Sequence, residues 1–210
     1  LRHTLQMSNE LKSNHWNPIQ GRELRSCIVG IIGVGSIGKE LIKRLDAFGS
    51  KIIGYGRTWN DEFSNQYNID RKSIKEIFEL SDIITIHLPL TSETRGLIGK
   101  EFINLAKNDA LILNTSRAGV IDNFALAQAI SEKNIKAAVD VFDEDRDPYP
   151  YSDIDGVILT PHIASHTIET RKSMEDMASN TLKIYDSLLN SHAVQDKDEK
   201  LAYINKHSVK

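Results

Sequence analysis

Residues 27–48 read CIVGIIGVGSIGKELIKRLDAF, a short apolar run followed by a glycine-rich turn and an amphipathic segment. Gly33, Gly35 and Gly38 have the spacing GxGxxG. The first permits a tight turn, the second lets a backbone approach a pyrophosphate, and the third allows close packing of helix on strand. The next helix would begin at Ser36 and Ile37 and direct unpaired N–H groups at the phosphates. We therefore predict a dinucleotide-binding strand–turn–helix unit; a glycine-rich turn without a ligand is the alternative.

Short runs rich in Ile, Val and Leu recur from this point onward and are typical of buried parallel strands. They are Cys27–Ile32, Lys51–Tyr55, Asp82–His87, Ala110–Asn114, Ala137–Phe142 and Val157–Leu159. Segments with helical spacing lie between several of them, at Ile37–Phe48, Ser73–Leu80 and Asp122–Glu132. The alternation predicts an α/β fold class, a doubly wound parallel sheet of the Rossmann type with helices on both faces.

The helical spacing also predicts which side chains are buried. The first helix would bury Ile37, Leu41, Ile42, Leu45 and Phe48 along one face. Asp122 would cap the N-terminus of a later helix. That helix would bury Phe124, Leu126 and Ile130.

Composition narrows the classes of partner. The net charge of -3 gives no reason to expect binding to nucleic acid or to an anionic membrane. No apolar run approaches the roughly 18 residues of a membrane span, and a secretory signal is absent, so we expect a cytoplasmic protein. The single cysteine, Cys27, begins an apolar strand and is expected to be an inert core residue. No cluster has metal-ligand spacing, and we predict no metal.

The second strand, KIIGYGRT in residues 51–58, ends where dinucleotide-binding folds discriminate between cofactors. An acidic residue there would accept hydrogen bonds from the ribose 2′-OH of NAD. Gly56 occupies that position and is followed by Arg57 and Thr58. Because no carboxylate repels a 2′-phosphate and Arg57 could pair with one, we predict NADP(H), with NAD(H) as the alternative. An Arg57 that only faces solvent is the other interpretation.

Five segments in order carry a resemblance to one family. They are VGIIGVGSIGKEL, SDIITIHLPLTSETRGLIGKEF, LILNTSRAGVIDNFALAQAI, AAVDVFDED and VILTPHIASHT. They cover most of residues 20–185 and resemble the D-isomer-specific 2-hydroxyacid dehydrogenases. The resemblance implies hydride transfer between a nicotinamide cofactor and a small 2-oxo or D-2-hydroxy acid.

Two side chains have the chemistry that such a reaction needs. Arg117 follows the strand LILN, at the carboxyl edge where ligands of open α/β sheets bind, and a guanidinium there could hold a carboxylate and polarise a carbonyl. His162 follows the last strand and is suited to transfer a proton near neutral pH. The resemblance assigns the same roles to these two residues. A structural ion pair and an ordinary loop histidine are the alternatives.

The family has a Glu that pairs with the histidine. A match without gaps from Asp140 places Asp145 there, and a two-residue insertion would instead place Asp147. A carboxylate in this position would orient His162 and raise its pKa. A solvated acidic loop is the alternative.

The resemblance also implies contacts with the cofactor and a domain organisation. Leu88 and Pro89 would flank the adenosine, Thr115 and Ser116 would lie near the nicotinamide ribose, and Asp140 would accept from the carboxamide. Four parts are expected: an interface or crossover helix in residues 1–20, the dinucleotide-binding domain in 21–165, a helix returning to a substrate domain in 166–190, and a polar, mobile tail in 191–210. Packing residues of that helix would be Met174, Met177, Leu182, Tyr185 and Leu188.

Three expectations concern the whole protein. A homodimer joined through the cofactor domains is implied by the resemblance. The chain lacks an initiator Met, and we expect a fragment without most of its substrate domain, which would turn over poorly alone. A dinucleotide-sensing regulator related to the family's corepressors, or a truncated inactive product, are the alternative functions.

Overall fold

A parallel sheet lies at the centre of the first of two compact units, Leu1–His162; the second begins at Ile163. This computed structural model describes residues 1–143 and 147–190, with side chains described as far as residue 185. The strands in these residues are β1 (Ile28–Ile32), β2 (Lys51–Tyr55), β3 (Asp70–Arg71), β4 (Ile83–Ile86), β5 (Leu111–Asn114), β6 (Lys136–Val139) and β7 (Val157–Leu159). They lie in the order β3-β2-β1-β4-β5-β6-β7, and every pair is parallel. The sheet extends outward from β1 in one direction and from β4 in the other, which confirms the predicted doubly wound fold.

Helices connect most of these strands. Those of the first unit are α1 (Thr4–Lys12), α2 (Ser36–Asp46), α3 (Asp61–Gln66), α4 (Ile74–Leu80), α5 (Lys100–Ile103) and α6 (Asn123–Lys133). The predicted cap of α6 is confirmed, because the Asp122 carboxylate accepts a hydrogen bond of 2.9 Å from the Ala125 N–H. Ser73 and Glu76 form a reciprocal capping box at the start of α4.

Apolar side chains cover both faces of the sheet, as expected for parallel strands. Along β1, Val29 and Ile31 belong to the cluster that includes Ile42 and Leu45 of α2. Ile32 belongs to the cluster on α4, α5 and α6. Cys27 is buried in the first cluster, as predicted. The predicted burial of Ile42 and Leu45, and of Leu126 and Ile130 in α6, is also confirmed.

Three predicted core residues are on the surface: Ile37, Phe48 and Phe124 are 70%, 61% and 63% exposed. Ile37 lies in the first turn of α2, at the edge where β1 has already ended. Phe48 lies two residues beyond the end of that helix. Phe124 is two positions before Leu126, about 200° around the helix, so the two side chains face opposite ways. Its ring instead contacts Tyr149 edge-on, at 5.6 Å between centroids.

The second unit contains α7 (Ile168–Asn190), close to the predicted helix. Its candidate packing residues Met174, Met177, Leu182 and Tyr185 are exposed, and the side chain of Leu188 lies outside the described residues, as does the predicted tail of residues 191–210. Within the described part of the chain, no helix combines the length and apolarity needed to cross a membrane.

Candidate active site

The glycine turn joins β1 to α2 at the carboxyl edge of the sheet. Gly33 has a φ of 107°, which favours glycine, and a Cβ there would come within 2.6 Å of the His87 carbonyl oxygen. Its N–H donates to the Tyr55 carbonyl at 2.8 Å, so the turn is tied to the end of β2. A Cβ at Gly38 would overlap the carbonyl oxygen of Gly33. The turn keeps its shape only with glycine at these two positions.

Gly35 has a different role, because no atom of the described residues, apart from Gly35 and its two chain neighbours, lies within 4 Å of the position a Cβ would take. It is the N-cap of α2, and no described side chain caps the helix there. The N–H groups of the first turn, which includes Ser36 and Ile37, therefore have no side-chain acceptor in the described chain. An open approach to uncapped N–H groups and the positive end of a helix dipole fits a pyrophosphate, so the residues present suit a dinucleotide.

Arg57 is held by an ion pair with an acidic residue from another loop. Its Nη1 lies 2.7 Å from Oε2 of Glu93, and both side chains are mostly exposed. Arg71 of β3 contacts the loop that carries Arg57. It donates a hydrogen bond to the Gly56 carbonyl at 3.3 Å, and its guanidinium lies 5.4 Å from the ring centroid of Trp59. Arg57 is therefore a largely exposed side chain with one ion-pair partner, and the choice between a phosphate-binding and a solvent-facing arginine stays a prediction.

The loop after β4 carries Glu93 on a turn that is held by side-chain hydrogen bonds. The Thr91 N–H donates to Thr94 Oγ1 at 2.8 Å, and that hydroxyl donates to the Pro89 carbonyl at 2.5 Å. Leu88 is half-buried and lies next to Gly33, whereas Pro89 is exposed. Leu88 therefore stands beside the glycine turn, and both predicted adenosine-side residues belong to the loop that carries Glu93.

Asn114, the last residue of β5, shapes the turn that carries Arg117. Its buried side chain accepts from the N–H and hydroxyl of Ser116, at 3.1 and 2.9 Å, and donates to the Arg117 carbonyl at 3.1 Å. Thr115 and Arg117 are exposed, and Arg117 Nη1 donates to the Ser116 carbonyl at 2.7 Å. Arg117 thus lies at the carboxyl edge of the sheet, on a turn that the Asn114 side chain holds by hydrogen bonds.

Hydrogen bonds connect this turn to the ends of the next two strands. The N–H of Asp140 donates to the Asn114 carbonyl at 3.0 Å, and its buried carboxylate accepts from the Thr160 hydroxyl at 2.5 Å. The Thr160 N–H in turn donates to the Val139 carbonyl at 3.0 Å. The tips of β5, β6 and β7 are therefore fixed relative to one another.

His162 follows β7 in an unusual backbone conformation. Its φ is 54°, in the left-handed region, and its N–H donates to the Thr160 carbonyl at 3.0 Å. Left-handed residues other than glycine are uncommon and cluster at functional sites. Because β6 separates β5 from β7, the ends of these two strands, which precede Arg117 and His162, lie about two strand spacings or about 10 Å apart at the same edge of the sheet.

The predicted partner of His162 is not decided by the geometry. Asp145 lies outside the described residues. Asp147 is exposed, and its carboxylate accepts from the Tyr149 N–H at 2.9 Å, which is a local turn contact. The choice between Asp145 and Asp147 therefore stays a prediction.

Asn123 is the centre of a buried polar network that the sequence analysis missed. Its Nδ2 donates to the Ala118 carbonyl and to Asp143 Oδ2, both at 3.3 Å, and its Oδ1 accepts from the Tyr151 hydroxyl at 2.9 Å. Burial, and then the charges of Asp122 and Asp143, raise the pKa of Tyr151, so its hydroxyl stays protonated and donates. The network connects the residue after Arg117 with Asp143 and Tyr151, which lie between β6 and β7.

Two further observations concern titratable groups. His87, after β4, lies 3.0 Å from Thr85 Oγ1 through its Nε2, and burial lowers its pKa. Among the described residues, no group of three or more His, Cys, Asp or Glu side chains is arranged to hold a metal ion.

Residues 1–164 match the family model described as D-isomer specific 2-hydroxyacid dehydrogenase, NAD binding domain. The chain belongs to the D-isomer-specific 2-hydroxyacid dehydrogenase family. The chain is 38% identical over 191 residues to the glyoxylate reductase of Aeropyrum pernix, which covers 86% of the chain and 57% of that relative. It is 38% identical over 183 residues to the D-3-phosphoglycerate dehydrogenase of Methanocaldococcus jannaschii. The match covers 85% of this chain and 35% of that relative.

Solved structures of dehydrogenases in this family have the same fold. The D-lactate dehydrogenase of Aquifex aeolicus, solved with NAD and lactic acid, has a TM-score of 0.81 at 25% identity, covering 89% of this chain and 62% of that one. A glyoxylate reductase from Paecilomyes thermophila has a TM-score of 0.79 at 29% identity. The match covers 87% of this chain and 57% of that one. The chain thus spans only part of the length of each of these dehydrogenases.

Proposed function

We propose that this chain is the cofactor-binding part of a dehydrogenase that interconverts a small 2-oxo acid and its D-2-hydroxy acid. The observation that carries the proposal is the pair of side chains Arg117 and His162, on connected strand tips at the edge where the glycine turn opens. When bound, the nicotinamide cofactor supplies or accepts the hydride. The protein must then bind the acid, polarise its carbonyl and transfer one proton.

Arg117 is proposed to bind the substrate. A guanidinium presents paired donors to a carboxylate and stays charged at every relevant pH. Held at the end of β5 by Asn114, it would grip the acid and draw electron density from the adjacent carbonyl. A fixed donor is more effective than a mobile one, because less order must be created when the substrate binds.

His162 is proposed to donate the proton to the developing alkoxide, and to accept it in the reverse direction. Imidazole changes charge near neutral pH, so both states are accessible. A carboxylate partner, Asp145 in the ungapped match or Asp147 otherwise, would favour the protonated form. The left-handed backbone fixes where the ring leaves the chain.

NADP(H) is the proposed cofactor, with NAD(H) as the alternative. Gly33, Gly35, Ser36, Ile37 and Gly38 would hold the pyrophosphate on the first turn of α2. Leu88 and Pro89 would flank the adenosine, and Thr115, Ser116 and Asp140 would contact the nicotinamide half. Arg57 and Thr58 would bind the 2′-phosphate. For this, Arg57 must release its ion pair with Glu93 and form one with the phosphate. An exposed ion pair is worth only about 0–1 kcal/mol, so a phosphate can displace it.

The remaining proposals concern assembly. We propose a homodimer joined through the cofactor domains, with α1 as an interface element. No side chain of α1 is buried within the described chain, and Leu5 and Leu11 are more than half exposed.

Site-directed variants test the chemistry. Reduction of glyoxylate and hydroxypyruvate is measured with both cofactors in the parent protein and in His162→Ala, with the exposed His15→Ala as control. We expect His162→Ala to lower kcat by at least about 100-fold, in line with the loss of a general acid, and to keep dinucleotide binding. Turnover retained in His162→Ala would rule out the proposed role of His162.

A further inference from the structure

The ion pair between Arg57 and Glu93 spans the place where the adenosine end of a dinucleotide would lie. β2 and β4 flank β1 on its two sides, and the loops that carry Arg57 and Glu93 follow their carboxyl ends. Adjacent strands lie about 4.8 Å apart, so the loops are separated by about two spacings. The 2.7 Å contact therefore joins loops that follow the two strands flanking β1, whose carboxyl end leads into the glycine turn.

We propose that Glu93 is a specificity-determining residue that reduces the preference for NADP(H) over NAD(H) which Arg57 would otherwise give the chain. This inference rests on the proposed function, since it requires that a dinucleotide binds at the glycine turn. In many dinucleotide-binding folds the discriminating carboxylate comes from the end of β2. Gly56 occupies that position here, and the structure supplies a carboxylate from the loop after β4 instead.

Glu93 would act in two ways. It holds the guanidinium of Arg57, so a 2′-phosphate must displace a bound carboxylate before it gains the arginine. Its own negative charge also repels the phosphate, whereas a 2′-hydroxyl can donate a hydrogen bond to it.

Hydrogen bonds hold the backbone of each loop that presents one of the two side chains. The hydroxyl of Thr94 bonds the backbone of both Thr91 and Pro89, which fixes the turn that presents Glu93. Arg71 bonds the Gly56 carbonyl and stacks near Trp59, which fixes the loop that presents Arg57.

Binding measurements on the chain test the proposal without turnover. Dissociation constants for NAD⁺ and NADP⁺ are measured by titration calorimetry for the parent and for Glu93→Gln, which removes the charge and keeps the shape. We expect the ratio of the NAD⁺ constant to the NADP⁺ constant to rise three- to tenfold. The change is modest because both charges are solvated, and it should shrink as salt rises.

Glu79→Gln is the matched control. It removes the same charge from an exposed residue near the end of α4, which leads into the opposite edge of the sheet, and should leave the ratio unchanged. An Arg57→Ala background adds a second check, because the Glu93→Gln effect should be smaller there if Glu93 acts partly by occupying the guanidinium.

The outcomes separate the inference from the proposed function. If the parent binds NAD⁺ but Glu93→Gln leaves the ratio unchanged, or if Glu79→Gln shifts it equally, the inference about Glu93 is wrong and the proposed function stands. If neither dinucleotide binds the parent chain, the proposed function fails as well.

Discussion

The Tyr151→Phe substitution should destabilise the protein by removing a single oxygen atom. Tyr151 is 1% exposed, and its hydroxyl donates to Asn123 Oδ1 at 2.9 Å. Without that donor, the amide oxygen of Asn123 has lost its partner in a site that is 9% exposed. A buried acceptor left unsatisfied costs about 1–3 kcal/mol, and we expect a loss of about 2 kcal/mol in the free energy of unfolding.

Tyr149→Phe provides a matched control, because it deletes the same atom two residues earlier from a side chain that is 66% exposed. Urea denaturation of the parent and both variants gives the midpoint and the slope of each transition. Tyr151→Phe should lower the midpoint at constant slope, and Tyr149→Phe should change stability by less than about 0.5 kcal/mol. Equal midpoints for all three proteins would refute the assignment of Asn123 as the centre of a buried network.

Three further substitutions are informative. Gly38→Ala should destabilise the chain by about 1–3 kcal/mol in thermal or chemical denaturation, because its Cβ overlaps the Gly33 carbonyl; unchanged stability would contradict the described turn. Gly35→Ala should keep the stability of the parent, since its Cβ meets open space, yet weaken dinucleotide binding more than about tenfold by calorimetry; equal affinity would argue against a pyrophosphate there. His87→Gln should flatten the fall in stability as the pH drops below about 6.5, the ordinary pKa of histidine. Burial lowers the pKa of His87 in the folded chain, so the unfolded chain takes up the proton first and stability is lost as the pH falls; identical profiles for the parent and the variant would exclude this residue.

Most strands could be predicted from patterns that one chain segment carries by itself. Runs of β-branched residues and a glycine turn with a helix behind it are local signals, and they predicted β1, β2, β4, β5, β6 and β7 to within a few residues. The two-residue β3 was missed because a segment of that length shows no periodicity. The short helices α3 and α5 were missed for the same reason.

Predictions of burial failed where spacing alone was used. Helical spacing identifies a face but not where the neighbouring strand ends, and this is why Ile37 is exposed although Ile42 is buried. Phe124 was assigned to a face that its own position in the helix excludes.

The sequence suggested candidate reactive residues but not the contacts that support them. Arg117 and His162 were proposed because each follows a strand and carries a distinctive functional group. Asn114 had a signal that was overlooked, a polar residue at the end of an apolar strand. The pairing of Arg57 with Glu93 and of Asn123 with Tyr151 joins positions 36 and 28 residues apart, and spacing within one segment does not encode such contacts.

A crystal structure of the chain with NADP⁺ tests the central claim most directly. The pyrophosphate should lie on the first turn of α2 at Gly35, with the nicotinamide at the tips of β5 to β7, facing Arg117 and His162. A dinucleotide bound elsewhere, or a nicotinamide beyond reach of those two side chains, would contradict the account.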